Sequence, residues 1–142
     1  MGYIYTGFTD NRSLVHRFKI GMTTAEESPL GRIYANKLIE TGCVYVPNAR
    51  KSQLLLLESA ARCAAEGIAE LTKESGKDDW FIYEKMATNI YEKRLIEWAD
   101  EVIAAVVKTC EQFNIPYEVN LKGWTMRGRC LRLITEKYGF GG

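Results

Sequence analysis

Two strand-forming runs stand close together at the start of the chain, and whatever follows must be arranged around the sheet they make. Tyr3-Ile4-Tyr5-Thr6-Gly7-Phe8 is aromatic and β-branched, and Leu14 to Ile20 resumes an extended pattern. Between them Thr9-Asp10-Asn11-Arg12-Ser13 is turn chemistry, so the pair reads as a β-hairpin with a longer loop. Cys43-Val44-Tyr45-Val46, stopped by Pro47-Asn48, is placed to join as a third, antiparallel strand. The expected fold class is α+β: a small three-stranded antiparallel sheet flanked by helices, with a helical C-terminal extension.

The helices are read from caps and apolar spacing. Ser28 as N-cap with Pro29 at the first helical position starts a helix that Gly42 ends, with Ile33, Leu38 and Ile39 as its apolar positions. From Ala49 the pattern is helical for about 25 residues, until Asp78-Asp79. Trp80-Phe81-Ile82-Tyr83 then reads as a short strand or aromatic plug. A second long helix is expected from Lys85 to Phe113, carrying Ile90, Leu95, Trp98, Val102, Ile103, Val106 and Cys110 near helical spacing. Asn114-Ile115-Pro116 ends it, Tyr117–Leu121 suits an edge strand, and a last helix near Thr125–Tyr138 precedes a glycine-rich tail.

Composition narrows the function classes. At 142 residues and 46% hydrophobic content the chain suits one compact domain, burying roughly 68–70% of its unfolded surface without disulfide or metal. A net charge of +1, from 19 basic against 18 acidic residues, is too even for a protein that coats nucleic acid non-specifically. Nucleic-acid contact must rest on a local patch. Cys43, Cys63, Cys110 and Cys130 are far apart, with no CxxC pair, and read as buried free thiols of a reducing compartment. Met1 leads into a strand pattern rather than a signal peptide, and no apolar run reaches a membrane span. The expectation is an intracellular, cytoplasmic protein with no membrane partner.

The hairpin brings Tyr5 and Lys19 to one small surface, and Arg32 follows just inside the next helix. Hydrolysis of a phosphodiester needs a deprotonated water, neutralisation of charge on phosphorus and help for the leaving oxygen. A tyrosine hydroxyl beside a cation can orient or deprotonate water, and a guanidinium grips phosphate oxygens in pairs. The missing carboxylate is Glu58, the one acid in Leu54-Leu55-Leu56-Leu57-Glu58-Ser59-Ala60-Ala61. A charge there is costly unless it sits at a cleft or is paired, and Mg²⁺ needs only one or two carboxylates besides water and substrate oxygens. Singly, each residue has an ordinary structural explanation: strand tyrosine in a core, first-turn arginine in solvent, glutamate on the polar edge of a helix. Their order and spacing together point to the site.

In that order, Tyr3-Ile4-Tyr5, Lys19-Ile20-Gly21, Arg32 and Glu58 resemble the GIY-YIG nuclease superfamily. The likeness is greatest to its phage-type DNA-binding branch, whose second motif often reads Lys-Ile-Gly, and Asp79-Trp80-Phe81 is similar to that branch's acid-Trp-Phe element. The resemblance covers roughly residues 2–83 and implies a nuclease core over 1–83 with a helical extension, 84–142, packed on it as one compact unit. It implies a divalent-metal-dependent DNA endonuclease, phage-encoded or from a mobile element. Tyr5 would prepare the water, Arg32 stabilise the phosphate, and Glu58 hold Mg²⁺ or Mn²⁺. Lys19 stands where many members have a second tyrosine; it would be a base if a neighbouring cation or desolvation lowered its pKa, and otherwise a phosphate contact. Asn36 occupies the position of a frequent His or Tyr, with Tyr34 turned elsewhere on the helix, and Asn89 is the nearest match to a late asparagine.

Three features remain outside that set. His16, the one histidine, alternates with Phe18 and Ile20, away from the face of Arg17, Lys19 and Gly21. Residues 122–137 hold Lys122, Arg127, Arg129, Arg132 and Lys137, flanked by Trp124 and Tyr138. Arg127, Arg129 and Arg132 are candidate nucleic-acid contacts, cations mixed with aromatics as on backbone-tracking surfaces, although a solvated amphipathic helix has the same pattern. The helix 85–113 has apolar positions broad enough to serve as core or as a homodimer interface. The rival readings are a catalytically inactive DNA-binding module of the same fold, which Lys19 and Asn36 favour, and a protein-interaction domain.

Overall fold

The computed structural model describes residues 2–9, 16–24 and 38–119. Among these residues it is an α+β fold: an open, five-stranded antiparallel sheet with two helices packed against it. The strands are β1 (Gly2–Thr9), β2 (Arg17–Thr23), β3 (Leu38–Val46), β4 (Thr72–Lys73) and β5 (Trp80–Ile82), in the order β3-β1-β2-β5-β4. The helices are α1 (Lys51–Glu66) and α2 (Thr88–Gln112).

Register follows from alternation. Tyr3, Tyr5 and Gly7 of β1 lie opposite Thr23, Gly21 and Lys19 of β2 and so share one face. Ile4 and Phe8 of β1, Phe18 and Ile20 of β2, Val44 and Val46 of β3 and Phe81 of β5 occupy the other face and are all buried. Against that apolar face α2 sets Tyr91 edge-on to Phe8 (5.7 Å) and Trp98 edge-on to Phe18 (6.3 Å). Helix α1 buries Leu54, Leu57, Ala61 and Ala65, a helical stripe, and leaves Leu55 and Leu56 exposed. Leu54 comes so close to Gly2 that a side chain at position 2 would collide with its methyls.

Three boundaries differ from the expectation, each for a physical reason. Leu38 and Ile39, expected on a helix ending at Gly42, are in β3, where they pair with Thr9 and Phe8 of β1. Thr6 pairs with Gly42 and Gly7 with Glu40, a bulge that leaves Thr41 as the extra residue. Tertiary pairing has overridden local propensity there, and the expected helix start at Ser28 and Pro29 lies outside the described residues. The helix from Ala49 ends at Glu66, not near Asp78: Gly67 caps it, its N–H bonded to the Cys63 and Ala64 carbonyls. The chain then turns Ile68 and Leu71 into the core and continues as β4.

The sheet is therefore wider than three strands. β4 and β5 form a hairpin whose turn closes through Lys77 N–H to the Glu74 carbonyl (3.1 Å), with Gly76 at φ 76° where a left-handed residue is needed. Helix α2 ends at Gln112 in a Schellman motif: Ile115 N–H donates to Cys110 O (2.8 Å) and Asn114 N–H to Glu111 O (3.4 Å), with Asn114 left-handed at φ 53°. Of the expected 117–121 strand, Glu118 makes a bridge to Tyr45, and the expected helix near 125–138 lies outside the described residues.

The apolar face of α2 is consumed by this chain's own core: Leu95, Trp98, Val102, Ile103, Val106 and Cys110 are all buried, and Ile90 and Phe113 are the large exposed apolar residues on or next to it. Those two are far fewer than a dimer interface along the helix would require. Cys43 and Cys110 are buried as expected, but Cys63 is exposed on α1, and Cys130 lies outside the described residues. Among the described residues no helix is long and apolar enough to cross a membrane.

Candidate functional site

The sheet face of Tyr5, Gly21 and Lys19 carries part of the candidate site. Tyr5 lies directly across from Gly21, and its ring covers that residue so closely that a β-carbon at position 21 would fall inside it. The glycine of Lys19-Ile20-Gly21 thus has a steric reason: it is the floor on which the Tyr5 ring rests. Tyr5 and Cys43 are buried on this half of the face, and Tyr3 packs on Tyr45 at 4.9 Å. Burial, with Cys43 and Tyr45 adding to it, pushes the Tyr3 phenol above its ordinary pKa.

Towards β5 the same face is more open and strongly charged. Lys19 pairs in register with Trp80; its Nζ lies 4.5 Å from the centre of the indole and 3.3 Å from Asp79 Oδ2. Arg17, two residues earlier and on the same face, places its guanidinium carbon 4.9 Å from the same ring and is ion-paired with Glu74. The backbone holds this constellation: Ile20 N–H donates to Asp79 O (3.0 Å) and Glu74 N–H to Trp80 O (2.9 Å).

Glu58 comes from α1, which contacts β2 as well as β1. Its side chain is mostly covered and has Arg62 one helical turn on, at 3.7 Å. Burial raises its pKa above the ordinary glutamate value; the charges of Arg62 and Lys19 oppose that shift, and those of Asp79 and Asp78 reinforce it. The carboxyl group is thus within electrostatic reach of the Lys19–Asp79 pair, although 39 residues of sequence separate Glu58 from Lys19.

The structure therefore puts Tyr5 and Lys19 on one sheet face, with the Glu58 carboxyl of α1 in electrostatic reach of Lys19. Arg32, Asn36 and Tyr34, and the C-terminal Arg127, Arg129 and Arg132, lie outside the described residues. Asn89 is exposed in the first turn of α2. His16 sits on the helix side of the sheet, its ring 5.6 Å from Tyr83, as alternation implied. Lys19 has an anion beside it, Asp79, in place of the neighbouring cation that base chemistry would call for. Sequence reasoning missed Arg17, Arg62 and Asp79 as members of the cluster, and the role of Trp80 between two cations. Alternation already put Arg17 on Lys19's face; the pairing of β2 with β5 had no local signal.

To a divalent cation Glu58 offers a single carboxylate, which here is paired with Arg62. Among the described residues no three His, Cys, Asp or Glu side chains converge, so a cation there would take one protein carboxylate and otherwise water and substrate oxygens, as Mg²⁺ does. Its charge would offset the burial that chiefly raises the Glu58 pKa, and the smaller repulsion from Asp79 and Asp78. A cavity of about 600 Å³ lies elsewhere, lined by Thr72, Ile82, Tyr83, Met86 and Trp98 among others, and shares no residue with this cluster.

No protein-family model, curated protein or solved structure matches the chain.

Proposed function

We propose that the chain is a divalent-metal-dependent endonuclease of the GIY-YIG kind, hydrolysing DNA phosphodiester bonds. The observation that carries this reading is the packing of Tyr5 on Gly21 on the face that also holds Lys19, with the Glu58 carboxyl of α1 in electrostatic reach of Lys19. In this reading β3, β1 and β2 are the three strands of the nuclease core, β4 and β5 widen it, and residues 84–142 are packed on it. Glu58 holds the metal, Mg²⁺ or Mn²⁺, which supplies charge for the phosphate and an acidified water. Tyr5 orients that water, Arg32 binds the phosphate, and Lys19, fixed by Asp79 and Trp80, is a phosphate contact rather than the base. The C-terminal arginines 127, 129 and 132 add contacts to DNA.

The test is nicking of supercoiled plasmid in Mg²⁺ or Mn²⁺, with EDTA as control. Glu58→Ala and Arg32→Ala are expected to abolish nicking while the circular dichroism spectrum is unchanged; parental rates in both would overturn the assignment. A second reading, an inactive DNA-binding module of the same fold, is favoured by the Lys19–Asp79 ion pair, which occupies the position of the second tyrosine with a neutralised cation. DNA binding without nicking by the unaltered chain selects it.

A further inference from the structure

Arg17 belongs to no role given so far, yet its surroundings are unusual. Its guanidinium meets Glu74 through Nη2 and Oε1, while Arg17 Nε and Glu74 Oε2 are both buried and find no hydrogen-bond partner. A guanidinium offers five N–H donors in a planar fork, suited to the paired oxygens of a phosphate. Here one carboxylate oxygen engages one edge and the Nε edge donates to nothing. The side chain is 31% exposed, so an acceptor from outside can reach its terminal Nη groups, while Nε stays covered.

Arg17 and Lys19 also form a row. Two residues apart on an extended strand, they are spaced by about 6.6 Å, close to the rise of two nucleotides along a duplex axis at about 3.4 Å each. The Trp80 ring lies against both, 4.9 Å from the Arg17 guanidinium carbon and 4.5 Å from Lys19 Nζ. Cations over an indole face are held by its quadrupole, which fixes two long, flexible side chains at little further cost. Lys19, only 12% exposed, is the inner charge, next to the Glu58 neighbourhood, and Arg17 the outer one.

We propose that Arg17, Trp80 and Lys19 form a track for the backbone of one DNA strand, running along β2 from the more exposed Arg17 to the more covered Lys19. This rests on the reading of the chain as a DNA-binding nuclease or its inactive counterpart. Glu74 and Asp79 hold the two cations in place and compete with phosphate for them. Arg17 is in this view a binding residue, and Trp80 positions it.

The experiment is fluorescence anisotropy of labelled single-stranded and duplex DNA in EDTA, over a series of salt concentrations, with unaltered protein and variants. Each lost phosphate contact reduces the slope of log Kobs against log[salt] by about 0.7 on a single strand and about 0.9 on a duplex. Arg17→Gln is expected to show that loss, and Lys108→Gln, on the exposed side of α2, to keep the parental slope. Glu74→Gln is expected to tighten binding, since it removes the competitor, whereas a purely structural ion pair gives no gain. Trp80→Leu is expected to weaken binding and Trp80→Phe to restore most of it. The double variant Arg17→Gln/Glu74→Gln leaves no unpaired charge, so it reports the slope even if Arg17→Gln misfolds. Parental slopes in the folded Arg17 variants, with DNA bound, overturn the track alone. Absence of DNA binding by the unaltered chain at every salt concentration overturns the DNA reading and the track with it.

Discussion

Covering Glu58 with protein makes its ionised form harder to hold, and that has a consequence for stability as well as for metal binding. Because its pKa is raised in the folded state, mainly by burial, the folded chain binds the proton more tightly than the unfolded chain does. The sign is then fixed: stability falls as pH rises from the ordinary glutamate value through the raised one, and levels off above it. Glu58→Gln has no such loss. In urea unfolding followed from acid to neutral pH, the variant is expected to gain on the parent across that window. A gap that narrows with rising pH would show that the ion pair with Arg62, not burial, dominates. Tyr5 is a different case at this scale. Sequence alone marks it as a strand tyrosine, and only the packed pair explains why the residue across from it is glycine.

At the scale of elements, legibility followed the length of the signal. Alternation over β1 and β2 was enough to assign faces correctly, down to His16 on one side and Lys19 on the other. The stripe Leu54, Leu57, Ala61, Ala65 was visible as helix, but its end was not, because an alanine-rich run continues past Gly67 while the core draws Ile68 and Leu71 inward. β3 was read five residues too short at its start in favour of a helix, since the partners that hold Leu38 and Ile39 extended, Thr9 and Phe8, are some thirty residues away. β4, two residues long, has no signature of its own. The C-terminus of α2 is the counterexample: Asn114-Ile115-Pro116 announced the stop, and the Schellman motif makes it. Asn114→Val is expected to cost about 1–2 kcal/mol, since a β-branched residue is forced into left-handed backbone, and Asn114→Gly to cost nothing; urea midpoints distinguish them.

For the whole molecule, the important fact is that strands and both helices contribute to a single core. Trp98 shows it most directly, lying edge-on to Phe18 of β2 and, 5.3 Å away, to Tyr83 just after β5. α2 therefore fastens β2 beside β5, and with them the charged face on the other side of the sheet. Trp98→Ala is expected to lower stability by about 3–5 kcal/mol, with unfolding by circular dichroism and by fluorescence still coincident. Separate transitions would mean that the sheet and α2 unfold as independent units.

An open sheet has two margins, and a margin with free amide and carbonyl groups invites another chain to continue the ladder. Here one margin is β4, whose paired length is Thr72 and Lys73, and Lys73 is engaged with Asp78 at 3.2 Å and Glu66 at 3.9 Å. An incoming strand would find room for a single rung or two and would have to bury a lysine to use them. At the other margin Tyr45 exchanges both of its backbone hydrogen bonds with Glu118, at 2.6 and 2.8 Å. Stacking of one copy's sheet onto the next, the first step towards a fibril, thus meets a stub on one side and an occupied position on the other.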